Sequence, residues 1–125
     1  MCVEQVEKGR WLSEHFTADE FACPCCGVVL AQSELVEKLE NLRRIAGGPV
    51  VITSGYRCPA HNKAVGGVEN SYHTRGMAAD IFVCAISPRQ LAEMAEQAGF
   101  DGIGVYPEQG FVHVDVRGYR ARWKG

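Results

Sequence analysis

Apolar positions recur along the chain with two different periods, and these divide it into helices and strands. Leu35, Leu39 and Leu42 fall at helical spacing, and Val36 and Ile45 widen the stripe. This pattern predicts an amphipathic helix capped by Ser33 and stopped by Gly47-Gly48. Ser87-Pro88 opens another helix, because proline is pre-set for the first helical position. Its inner face is Leu91, Met94, Ala95 and Ala98, and Gly99 ends it. A short helix is expected over 58–65, closed by Gly66-Gly67, followed by a polar loop over 68–75. The β-branched run 49–53 reads as a buried strand, and 77–83 as a second. Residues 102–106 and 111–116 read as a hairpin joined by Pro107-Glu108-Gln109-Gly110. Residues 1–32 are expected to be an irregular lead with one capped turn. There Thr17 and Glu20 have capping-box spacing and present Phe16 and Phe21 to the core.

The order is helix, strand, loop, strand, helix, strand, strand, without regular βαβ alternation. That predicts an α+β fold with a single antiparallel sheet and helices packed on one side. The length of 125 residues suits one domain spanning 1–125. It is enough to bury a core without disulfides or metal for bulk stability. The net charge of −2 and the lack of a large basic patch argue against a nucleic-acid partner. The short basic stretch 117–124 reads as a solvated end. No apolar run approaches the roughly 20 residues needed to span a bilayer. Met1-Cys2-Val3-Glu4 lacks a basic start followed by an apolar stretch, so it does not read as a secretory signal, and cytoplasmic synthesis with a phage-type or other route of release is expected.

The chain has six cysteines. Cys23, Cys25 and Cys26 crowd one loop, while Cys2, Cys58 and Cys84 are scattered. Cys23-Pro24-Cys25-Cys26-Gly27 resembles half of a zinc knuckle. A full structural site commonly takes two spaced pairs, and no second pair is visible. The cluster therefore reads as structural or incidental, with a second zinc site and a disulfide as alternatives.

Three positions carry chemistry beyond packing. Asp80 interrupts an apolar strand between Ala79 and Ile81, and a carboxylate there is costly to bury unless paired or bound to metal. His73 lies seven positions before it in a polar loop. Period-two alternation over 111–116 puts Val112, Val114 and Val116 on one face, and Phe111, His113 and Asp115 on the other. The valine face belongs to the core, so the other faces a cleft or solvent. Read blandly, His73 and Asp80 are loop and strand-edge residues, and His113 and Asp115 an exposed pair. Read together, His73, Asp80 and His113 form a ligand set that suits zinc, with the fourth position open as catalytic zinc requires.

Three blocks give the chain a resemblance: Ser54-Gly55-Tyr56-Arg57, His73 through Asp80, and His113-Val114-Asp115. In order and spacing they resemble the zinc D-Ala-D-Ala carboxypeptidases and the related phage peptidoglycan endopeptidases, whose fold is shared with the amino-terminal hedgehog signalling domain. Asn62 and Gly66-Gly67 fit the same pattern. The resemblance implies zinc ligation by His73, Asp80 and His113. It implies that Arg57 binds a substrate carboxylate or polarises its carbonyl, a task suited to a guanidinium fork; the bland reading is a surface salt bridge. Many family members carry an acid three positions before the last zinc histidine, where this chain has Gly110. Glu108 in the turn is the first candidate for the general base, with Asp115 as the alternative or as a partner that orients a ligand.

The expected function is zinc-dependent hydrolysis of a peptide bond in peptidoglycan stem or cross-link peptides. The alternative is a binding module that keeps the zinc but has lost hydrolysis, because fold does not settle function.

Overall fold

The structure is a computed structural model that describes residues 3–5, 11–67 and 71–125. Cys2 and residues 68–70 of the expected polar loop lie outside the described residues. The element order is β1 (Val3–Gln5), β2 (Leu30–Gln32), α1 (Ser33–Ala46), β3 (Val51–Ser54), α2 (Pro59–Ala64), β4 (Ala78–Phe82), α3 (Pro88–Ala98), β5 (Gly102–Tyr106), β6 (Phe111–Asp115) and β7 (Ala121–Lys124). Strands β1 and β2 pair with each other inside the segment expected to be irregular. Among the described residues no helix is long and apolar enough to cross a membrane.

The main sheet has the order β3-β4-β6-β5-β7. Its first four strands pair antiparallel, as the alternation predicts. The sheet is mixed because β7 joins β5 in parallel. Topology explains this edge. Strand β6 has β4 and β5 on its two sides, so a chain that reverses after β6 finds the nearer free edge at β5, one strand away, and there it runs in the same direction as β5. The stretch expected to be a solvated end is therefore partly a strand.

Val112 and Val114 point into the core with Ile81 and Ile103, where they meet Leu39 and Leu42 of α1 and Leu91 of α3. Burying such side chains contributes roughly 1.5–3 kcal/mol each. Phe16 and Phe21 are also buried there. Their turn is held by the expected box, with the Thr17 N–H donating to Glu20 Oε2 at 2.6 Å. Helix α3 begins as predicted, Ser87 Oγ accepting from the Gln90 N–H and Gly99 closing it in the left-handed region.

Three local expectations change. Gln32, not Ser33, is the cap of α1. The preceding strand supplies the geometry there, since the Gln32 N–H donates to Gly76 O at 2.9 Å. Ile45 lies in the last turn of α1 and is 39% exposed. Strand β3 is an edge strand with alternating burial, so Val51 is 38% exposed where a buried strand was expected.

Candidate active site

The face of the sheet opposite the valines builds the site. Asp80 on β4 pairs directly across from His113 on β6, and Gly104 on β5 lies on the other side of His113. Directly opposed residues present their side chains to the same face, about 4.5–5.5 Å apart at Cβ. His73 approaches from a 3-10 turn, Tyr72–Arg75, whose start is fixed by Ser71 Oγ accepting the His73 N–H at 3.2 Å. The result is a compact triad. Asp80 Oδ1 lies 3.3 Å from His73 Nε2 and 3.1 Å from His113 Nδ1. The two imidazoles meet edge-on with centroids 5.1 Å apart.

The outer nitrogen of each ring decides what the inner one can do. His73 Nδ1 lies 2.8 Å from Gly55 O, a group that can only accept. That nitrogen therefore carries the proton, and Nε2 turns a lone pair toward Asp80. His113 Nε2 lies 2.7 Å from Asp115 Oδ2. It donates to that carboxylate, and Nδ1 of the neutral ring turns its lone pair inward. Two lone pairs and a carboxylate oxygen thus converge, an arrangement that needs a proton or a cation between them. The ligand atoms of all three residues lie within 4.8 Å of one another. A tetrahedral ion with bonds of about 2.0–2.1 Å would hold its ligands roughly 3.3–3.4 Å apart. The distances from Asp80 Oδ1 fall close to this, so the three side chains could hold a metal ion.

Electrostatics point the same way. Burial opposes charge on Asp80, but the facing His113 and His73 rings outweigh it and hold the carboxyl well below its usual range. Burial also opposes a charged His113, and the Asp115 and Asp80 carboxylates overcome it and raise its pKa. A bound cation would replace that proton.

Arg57 reaches the same cluster. Strand β3 shifts register between Ile52 and Ser54, which brings Ser54 opposite Asp80. A bulge of this kind re-aims the chain that follows it. Arg57 then donates from Nη2 to Asp80 Oδ2 at 3.1 Å, from Nη1 to Asn62 Oδ1 at 3.2 Å and from Nε to Ser54 Oγ at 3.0 Å. It fastens the second oxygen of Asp80 and leaves the first for the histidines.

The two acidic residues weighed as the base have different fates. Asp115 has no exposed surface, and its carboxyl is lowered to about 2. Burial raises it, but hydrogen bonds from His113 and Arg117 dominate. Arg117 binds it as a fork, Nε to Oδ1 at 2.9 Å and Nη2 to Oδ2 at 2.7 Å. Glu108 is exposed in the turn between β5 and β6 and does not line the cleft.

The cleft encloses about 490 Å³ beside the triad. Arg57, Tyr72, Tyr106, Phe111, Arg117 and Trp123 share its lining with the triad. Arg117, Tyr72 and Trp123 were not expected from the sequence. Trp123 on β7 packs beside His113 with centroids 5.1 Å apart and donates from Nε1 to Tyr106 Oη at 2.9 Å. The Arg117 guanidinium lies 4.6 Å from the Tyr72 ring centre and 5.0 Å from that of Trp123. Two glycines make room: a Cβ on Gly102 would come within 2.3 Å of the Asp115 carboxylate, and one on Gly104 within 2.3 Å of the Trp123 indole. The sequence signal was the alternation Gly102, Gly104, Tyr106 on one strand face.

Comparison with known proteins agrees with this geometry. The chain is 30% identical over 99 residues to the probable peptidoglycan L,D-endopeptidase MepK of Haemophilus influenzae, covering 73% of this chain and 53% of that protein. It is 33% identical over 89 residues to the peptidoglycan L,D-endopeptidase MepK of Escherichia coli K12, covering 66% of this chain and 49% of that one. The chain therefore spans about half the length of these curated relatives. The family model described as Peptidase M15 matches residues 14–115, a span that contains Arg57, His73, Asp80, His113 and Asp115, and the chain belongs to that family.

Proposed function

We propose that this chain hydrolyses a peptide bond in peptidoglycan stem or cross-link peptides, using a zinc ion held by His73 Nε2, Asp80 Oδ1 and His113 Nδ1. The observation that carries the reading is the convergence of two histidine lone pairs on one carboxylate oxygen, at the wall of an open cleft. Two imidazoles and a carboxylate suit zinc among common metals and match a catalytic rather than a closed structural site. When bound there, zinc supplies a Lewis acid that polarises a carbonyl and acidifies water. The likeness to peptidoglycan L,D-endopeptidases supports the substrate class.

The chain's own residues supply orientation and charge. Gly55 O and Asp115 fix the tautomers of the two histidines. Arg57 spends three of its five donors on Ser54, Asn62 and Asp80. Its remaining N–H groups are the ones to meet a substrate carbonyl or carboxylate from the cleft wall. Tyr106 and Phe111 stack with centroids 4.5 Å apart and form an apolar flank for the peptide. Asp115 is a poor base, because both oxygens are engaged and its carboxyl is held acidic. Glu108 sits just beyond Tyr106 and Phe111 and takes the proton from the rim in this reading. A general base in a ligand-free structure commonly closes its hydrogen bond only in the substrate complex.

One observation favours a second reading, a zinc-holding binding module. Glu108 stands outside the cleft, and Gly110 occupies the position where the family resemblance implies an acid. Incubating zinc-loaded protein with purified peptidoglycan and identifying the released fragments by mass spectrometry decides between them. New peptide termini that vanish in His73→Ala support hydrolysis. Binding to peptidoglycan without new termini supports the module.

A further inference from the structure

Away from the cleft, three cysteines from two distant parts of the chain come together. The sulfur atoms of Cys23, Cys26 and Cys58 all lie within 4.8 Å of one another, and none of these residues lines the cleft. The loop that carries the first two is tightly folded. The Cys23 N–H donates to Val28 O at 2.9 Å and the Gly27 N–H to Cys23 O at 2.8 Å. Gly27 has φ +75°, the left-handed conformation that lets the chain turn back and set Cys26 beside Cys23. Cys58 arrives from the far side, directly after Arg57. Its N–H points at Cys23 Sγ at 3.4 Å, and the His61 N–H points at Cys58 Sγ at 3.4 Å.

These contacts prepare sulfur for negative charge. Burial pushes the Cys23 thiol up, but backbone N–H groups of Cys58, Cys26 and Cys25 outweigh it and bring the thiol down to about 7. Three converging thiols cannot all be served by one disulfide, which joins two sulfurs at about 2.0 Å and strands the third. A tetrahedral zinc with Zn–S bonds of about 2.3 Å holds its sulfurs roughly 3.8 Å apart, and the 4.8 Å that bounds this cluster brackets that spacing. Cys25, an exposed thiol in the same loop as Cys23 and Cys26, is a candidate for a fourth ligand.

We propose that Cys23, Cys26 and Cys58 bind a second, structural zinc ion, independent of the one proposed at His73, Asp80 and His113. The missing second half of the knuckle is a single cysteine next to Arg57. The metal clamps the loop 23–27 to the segment after β3, where the Tyr56 N–H also donates to Phe21 O at 2.9 Å. Because Arg57 lies between these anchors, the clamp holds its guanidinium against Asp80.

The test is zinc stoichiometry on the full chain, purified under reducing conditions, loaded with zinc and freed of excess. Wild type should carry two zinc ions per chain. His73→Ala and Cys58→Ser should each carry one, and Cys84→Ser, which alters an exposed cysteine outside the cluster, should keep two. Cobalt(II) bound to His73→Ala should give a sulfur-to-cobalt charge-transfer band, which needs no cysteine variant to fold. Cys58→Ser should also melt at lower temperature. One zinc per wild-type chain that is abolished by His73→Ala overturns the proposal, as does a cobalt-loaded His73→Ala protein without the charge-transfer band. Failure of the cysteine site leaves one zinc at the histidines, whereas failure of the histidine site leaves one at the cysteines.

Discussion

Asp115 carries the sharpest argument about a single side chain. The period-two pattern placed it on the face of His113, and the structure puts its carboxylate on His113 Nε2. A partner that fixes a ligand's tautomer typically contributes about 10–100-fold to metal affinity or activity. Asp115→Asn should therefore bind zinc more weakly by that order, as read by competition with a chelator. Unchanged affinity would remove Asp115 from the metal site. Gly102→Ala tests the same group from behind, since its new Cβ would strike the carboxylate. Forcing such an overlap in a packed region typically costs about 1–3 kcal/mol. The variant should lower the denaturation midpoint and weaken zinc binding together. Arg117 was hidden for a physical reason: its charge belongs to a basic stretch that reads as solvated until Asp115 is seen to be buried beneath it.

The elements legible in advance were those with a strong period and chemical end signals. Helix α3, with Ser87-Pro88 at one end and Gly99 at the other, and the β5–β6 hairpin both form as read. Strands β1, β2 and β7 were missed because they are short and lack the β-branched run that marks β3, and pairing alone makes them strands. Tertiary pairing also gave α1 a role its apolar stripe did not announce. Glu40 accepts from Ser13 Oγ at 2.6 Å and from the His15 N–H at 2.7 Å, and its other oxygen meets His15 Nδ1 at 2.7 Å. Burial raises the Glu40 pKa, but Ser13 and His15 outweigh it and the net shift is downward. A carboxylate with a lowered folded-state pKa stabilises above its unfolded value of about 4.3, and that stability is lost as pH falls through the folded value. Acid should therefore loosen the segment 13–15 from α1 below about pH 4.3. Glu40→Gln should lose about 1–3 kcal/mol at neutral pH and show a flatter acid dependence by chemical denaturation. Equal acid slopes in the two proteins would contradict this.

At the scale of the whole molecule, one sheet face builds a core and the other a cleft, and the triad of His73, Asp80 and His113 joins β4, β6 and the turn before β4. The triad was legible because an aspartate inside an apolar strand and a histidine on a valine-backed strand both break the local pattern. The cleft wall was not, because Trp123 reaches it only through the parallel edge of β7. The shared proton of His113 sets a pH dependence for the metal. Its pKa is raised above the ordinary histidine value of about 6.5, and a metal must displace that proton. Zinc affinity should hold at alkaline pH and fall as pH drops, approaching on the order of tenfold per unit once His113 is protonated. Calorimetry across that range checks this, and a flat profile would show that no proton is displaced.

The most direct measurement of the central claim follows peptidoglycan cleavage while metal-free protein is titrated with zinc, in wild type and in His113→Ala. The predicted result is no cleavage before zinc is added, a rise that saturates as the His73, Asp80 and His113 site fills, and no rise in the variant. Cleavage that is complete without zinc, or that rises equally in His113→Ala, would contradict the account.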